Sequence, residues 1–64
     1  MILGASVKDG GLALRLDADG PYAEAEIAPA ALGPGLDAAL AVVFVVNEML
    51  RVIEQKRREL VFGP

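Results

Sequence analysis

The sequence predicts an α+β fold: three antiparallel strands in a meander (residues 2–7, 12–17 and 22–28), a connector (28–36) and one long C-terminal helix (36–60) packed on one sheet face. Three observations lead there. An Asp9-Gly10 pair lies between two apolar segments, the strongest short-range hairpin signal. Residues 22–28 alternate apolar and polar side chains with the period of a half-buried strand. Residues 36–60 read as one helix with two unlike halves. Its stretch 38–46 is apolar at every position, and from Asn47 onward charges confine the apolar residues to a stripe.

The first two strands can be set in register from the turn. With Asp9-Gly10 as the loop, Val7 lies opposite Leu12, Ala5 opposite Leu14 and Leu3 opposite Leu16, so one face is wholly apolar. Ile2/Asp17, Gly4/Arg15 and Ser6/Ala13 occupy the other face. Asp17-Ala18-Asp19-Gly20-Pro21 forms a second turn into the third strand, where Ala23, Ala25 and Ile27 point inward between Tyr22, Glu24 and Glu26. Arg15 is then positioned to pair with Glu24 or Glu26 across the outer face, an exposed contact of about 0–1 kcal/mol.

The connector holds two prolines and two glycines. Pro29 is suited to open a single helical turn through Leu32, closed by Gly33. The long helix starts near Gly35, with Asp37 where negative charge suits the helix dipole. Lys56, Arg57 and Arg58 suit the opposite end, and Gly63-Pro64 stops the pattern.

Twenty-five helical residues extend roughly 37 Å, whereas strands of six or seven residues extend roughly 20 Å. The helix therefore overhangs its sheet. Ala39, Val42, Val46, Met49, Ile53, Lys56 and Leu60 follow alternating steps of three and four, as a coiled-coil seam does. The expectation is that one apolar face covers the sheet while the seam Ala39, Val42, Val46, Met49, Ile53 and Leu60 meets a second copy. The competing reading is that the stripe faces only the chain's own core. Asn47 lies cleanly on neither line and reads as a solvated surface residue, with a buried polar residue that fixes register as the alternative. Leu60-Val61-Phe62, three apolar residues after a charged run, need a groove in this chain or in a partner.

Composition narrows the function classes. Sixty-four residues make one small domain, and a chain of this size buries only about 60% of its unfolded surface. Without Cys or His, disulfides, thiolate metal sites and the usual general base are missing, which leaves oligomerisation as the common means of stabilisation. A net charge of −3 points away from nucleic acid and anionic membranes as main partners. No apolar run is long enough to span a bilayer, and Met1-Ile2-Leu3 shows no signal peptide, so a soluble cytoplasmic protein is expected. One Ser, one Asn, one Gln and no Thr, with abundant Ala, Leu, Val and Arg, suit a thermophile; a GC-rich genome produces the same bias.

Candidate chemistry is sparse. Asp17-x-Asp19-Gly20 with Glu26 matches part of a calcium loop but fails at Arg15, and reads as an ordinary β-turn. Glu24 and Glu26 form a solvated acid pair without a base or nucleophile nearby, and Ser6 has no His to activate it. The basic cluster Arg51, Lys56, Arg57 and Arg58 is interleaved with Glu48, Glu54 and Glu59 and reads as a self-neutralised face. No catalytic residue, metal ligand or cofactor is therefore expected.

The strand-strand-strand-helix order, the size and Asp19-Gly20-x-Tyr22 make the chain similar in outline to HicB-like antitoxin domains. It differs after the third strand, where it has Ala28-Pro29-Ala30-Ala31-Leu32-Gly33. The resemblance implies a regulatory module that binds a partner protein, and transfers no site residues. The leading expectation is a non-enzymatic homo-oligomeric assembly protein, a dimer or by further packing a tetramer. The antitoxin-type module and a small-ligand site at an inter-subunit cleft are the alternatives.

Overall fold

The computed structural model describes residues 1–63. Its elements are β1 (Ile2–Lys8), β2 (Gly11–Asp17), β3 (Tyr22–Ile27), a 3-10 turn (Pro29–Ala31) and α1 (Leu36–Phe62). The strands form one antiparallel sheet in the order β1-β2-β3. Both tight turns rest on left-handed backbone. Asp9 and Gly10 have φ of 52° and 80°, and Asp19 and Gly20 have 51° and 117°. Positive φ at both central residues matches the twist of the flanking strands, and Asp and Gly tolerate it best.

The β1–β2 register follows the alternation read from sequence: Leu3 opposite Leu16, Ala5 opposite Leu14 and Val7 opposite Leu12. On β3, Ala23, Ala25 and Ile27 face Leu16, Leu14 and Leu12. At the start of β2, Gly11 is buried where only hydrogen fits, since a Cβ there would lie 2.5 Å from the Ile27 carbonyl oxygen.

The helix begins after Gly35 and continues through Val61 and Phe62, two residues past its expected end, until Gly63 leaves helical geometry at φ 76°. It runs back along β3, from the connector at that strand's end to its start, where the Lys56 Nζ donates to the Tyr22 carbonyl oxygen. Its 27 residues span about 40 Å and set the long dimension of a 42 × 18 × 18 Å molecule.

The core is small. Leu14, Leu16, Ala18, Ala23 and Ile27 close on Met49 and Ile53, with Leu12, Ala25, Leu32, Ala41, Val42, Val45 and Val46 packed around them. This corrects the division of helix faces expected from the sequence. Met49 and Ile53, each 2% exposed, serve the protomer's own sheet, and Val42 and Val46 flank them. Ala39 and Leu60, from the same seam, are exposed. A three-four spacing marks any helical stripe that meets a surface, and carries no information on whether that surface is a sheet or another helix.

A second correction concerns coverage. The helix lies along β3 and its Met49 and Ile53 share one buried cluster with Leu14 and Leu16 of β2, while every residue of β1 stays exposed. One helix is about 10 Å across and strands lie about 4.8 Å apart, so a single helix spans two strands and leaves the third bare.

Replacing Ile53 with Ala should cost about 2–5 kcal/mol by cavity formation. Gly11→Ala should also destabilise, by displacing the Ile27 carbonyl. Urea unfolding followed by circular dichroism reads both, and an unchanged midpoint for Ile53→Ala would contradict this core.

Candidate functional site

Three groups of side chains are candidates for function: the charged outer face of the sheet, the polar C-terminal half of α1, and the apolar surface left uncovered on β1 and α1.

On the outer face, β-sheet register brings Arg15 beside Glu24. Arg15 Nε donates to Asp17 at 3.1 Å and its Nη1 donates to Glu24. The Asp17 hydrogen bond, followed by that to Glu24, raises the Arg15 pKa above its ordinary value. Tyr22 completes the cluster, with the Arg15 guanidinium 4.0 Å and the Lys56 ammonium 4.9 Å from its ring centre. Lys8 reaches Glu26 at 3.4 Å. These are exposed ion pairs that satisfy one another, and the acid pair Glu24/Glu26 is engaged by Arg15 and Lys8.

The C-terminal half of α1 neutralises itself in the same way. Arg51 pairs with Glu48 at 2.8 Å and Arg58 with Glu54 at 3.0 Å, one helical turn apart. Among the described residues, no group of three or more acidic, His or Cys side chains is placed to hold a metal ion, and no charged or polar side chain is buried. Asp17 and Asp19, the partial calcium loop, lie on a turn held by the Ala18 N–H donating to the Pro21 carbonyl at 2.9 Å. Among the same residues, no helix is long and apolar enough to cross a membrane.

The apolar surface is of a different kind. On β1, Leu3 and Val7 continue the inner face of the sheet past the edge of the helix, and Val7 is 80% exposed. On α1, Leu36, Leu40, Val43 and Phe44 lie off the sheet-facing stripe and are exposed, Phe44 at 70%. Leu50 and Met1 border a groove beside the helix whose lining is part apolar, with Val61 and Phe62, and part charged, with Glu54, Arg57 and Arg58. Sequence reasoning placed a second copy on the line Ala39, Val42, Val46, Met49, Ile53 and Leu60, of which Met49 and Ile53 are buried in the protomer's own core and Ala39 and Leu60 are exposed. A second line has the same coiled-coil spacing: Leu36, Leu40, Val43, Asn47 and Leu50 advance by alternating steps of four and three.

The two edges of the sheet also differ. β3 carries Glu24 and Glu26 and is bracketed by Pro21 and Pro29, features that discourage pairing with another chain. β1 carries a single charge, Lys8, at its end.

No family model, curated protein or solved structure matches the chain. The likeness to HicB-like antitoxin domains thus rests on element order, size and Asp19-Gly20-x-Tyr22 alone.

The outer-face ion pairs should contribute little. Glu24→Ala should change unfolding free energy by less than about 1 kcal/mol, and the difference should shrink further in 1 M salt. A loss several times larger in thermal or chemical unfolding would show that the Arg15 cluster has a structural role beyond surface pairing.

Proposed function

We propose that the chain is a non-enzymatic assembly module that works as a homo-oligomer, at minimum a dimer, through the apolar surface of α1 and β1. One comparison of areas carries the reading. The chain exposes 4705 Å², whereas a folded monomer of 6.7 kDa is expected to expose about 3,900 Å². The excess, roughly 800 Å², matches one partner's share of a standard stable interface. Leu36, Leu40, Val43 and Phe44 on the helix and Leu3 and Val7 on β1 are large apolar side chains left exposed. Exposed apolar surface on this scale marks an interaction site.

A second copy is the partner because the need is mutual. Every chain carries the same uncovered helix face and the same uncovered strand, and a core of seven buried apolar residues is thin support for an independent fold. Association buries what folding leaves exposed. The non-enzymatic part of the reading rests on the chemistry available: the acidic groups of the sheet are occupied by Arg15 and Lys8, and neither His nor Cys is present to activate a nucleophile.

Light scattering coupled to gel filtration at micromolar concentration should give at least twice 6.7 kDa. The double variant Leu40→Glu/Phe44→Glu alters side chains that are mostly exposed and outside the core cluster, so it should lose the oligomer while keeping α+β circular dichroism. A folded wild-type monomer would overturn the proposal.

A further inference from the structure

We propose that the second copy docks its helix into the groove above β1, giving a three-layer dimer of sheet, two parallel helices and sheet. This rests on the homo-oligomer reading and specifies its geometry.

The width of the groove selects the occupant. The helix of one protomer sits over β3, at the far edge of the sheet from β1. Two strand spacings of about 4.8 Å separate β1 from β3, or roughly 10 Å, and packed helices lie 8–10 Å apart. One more helix therefore fits over β1, in contact with both the strand and α1. Its floor is the inner face of β1, with Leu3, Ala5 and Val7, and its wall is the flank of α1 that carries the exposed Val43 and Leu50 and, towards the C-terminus, Glu54, Arg57 and Val61.

The chain supplies a helix of the right character. At about 100° per residue, Leu36, Val43 and Leu50 point sideways from the sheet-facing line of Met49 and Ile53, while Leu40 and Phe44 point nearly opposite to it. In the three-layer arrangement the sideways group meets the same group of the second helix. The opposite group meets the second sheet at its bare β1. The flank bearing Val43 and Leu50, the face bearing Leu40 and Phe44, and β1 all gain a cover from one occupant. The all-apolar stretch 38–46 is then covered on its sheet-facing side, on the flank of Val43 and on the face of Leu40 and Phe44.

Symmetry fixes the direction. A two-fold rotation that exchanges both the two sheets and the two helices of such a sandwich runs along the helix axes, so the helices are parallel. Parallel alignment sets the apolar halves side by side and the charged halves side by side. It also brings two copies of Asn47 to one level, where their amides can hydrogen-bond each other and fix the register. The competing dimer, joined through the β1 edges into a six-stranded sheet, holds the helix axes roughly 20 Å or more apart. That leaves an apolar trench between them uncovered.

The chain has no cysteine, so single substitutions report cleanly. Under mild oxidation Val43→Cys should run mostly at twice the chain mass on a non-reducing gel and return to chain mass with reductant. Glu48→Cys, on the opposite flank, should stay at chain mass. A wild-type mass of two chains with no Val43→Cys cross-link would overturn this arrangement while leaving self-association standing. A wild-type monomer would overturn both and assign the groove to a different protein.

Discussion

Everything else in this small molecule is arranged around the insertion of Met49 and Ile53 between Leu14, Leu16, Ala23 and Ile27. It is the contact that holds α1 against the sheet, and it is made on one stripe of the helix and on two of three strands. Hydrophobic burial of a few such side chains, each contributing about 1.5–3 kcal/mol, must offset the ordering of the whole chain. The hairpin turns and the Gly11 approach reduce that burden by fixing strand register without side-chain help. The exposed ion pairs of Arg15, Lys8, Arg51 and Arg58 add little to it.

The same contact creates the mismatch that gives the protein its surface. A helix about 10 Å wide cannot span three strands, and the bare strand is β1, whose inner face is as apolar as that of β2. A helix of 27 residues also extends past a sheet of seven-residue strands, and in its N-terminal half the exposed side chains include Leu36, Leu40, Val43 and Phe44. Both surpluses arise from one cause, a single short core with more apolar surface around it than it can enclose. A parallel second helix over β1 removes both at once, which is why the self-association reading and the sandwich geometry belong together physically.

The strands, their register and the long helix were legible because each rests on local chemistry. Asp9-Gly10 dictates a hairpin, alternation dictates the faces of Leu12–Leu16 and Ala23–Ile27, and Gly35 and Gly63 end the helix through their backbone freedom. The division of helix faces was not legible. Two heptad lines run along α1, one through Val42, Met49 and Ile53 and one through Leu36, Val43 and Leu50, and their spacing is equivalent. Packing tells them apart: Met49 and Ile53 of the first line are buried against the sheet, and Leu36, Val43 and Leu50 of the second stay exposed. The extent of coverage was hidden for a similar reason, since the width of a helix against a sheet is a property of packing and leaves no periodic trace in sequence.

The central claim is that folding of one copy leaves its apolar surface incomplete, so that stability and association are linked. Thermal unfolding as a function of protein concentration tests it most directly. If the folded state is an oligomer, the midpoint rises with concentration by mass action, and it should climb by several degrees between about 1 and 100 μM. A reversible melt with the same midpoint across that range would contradict the account, because it would show that a single chain completes its own core.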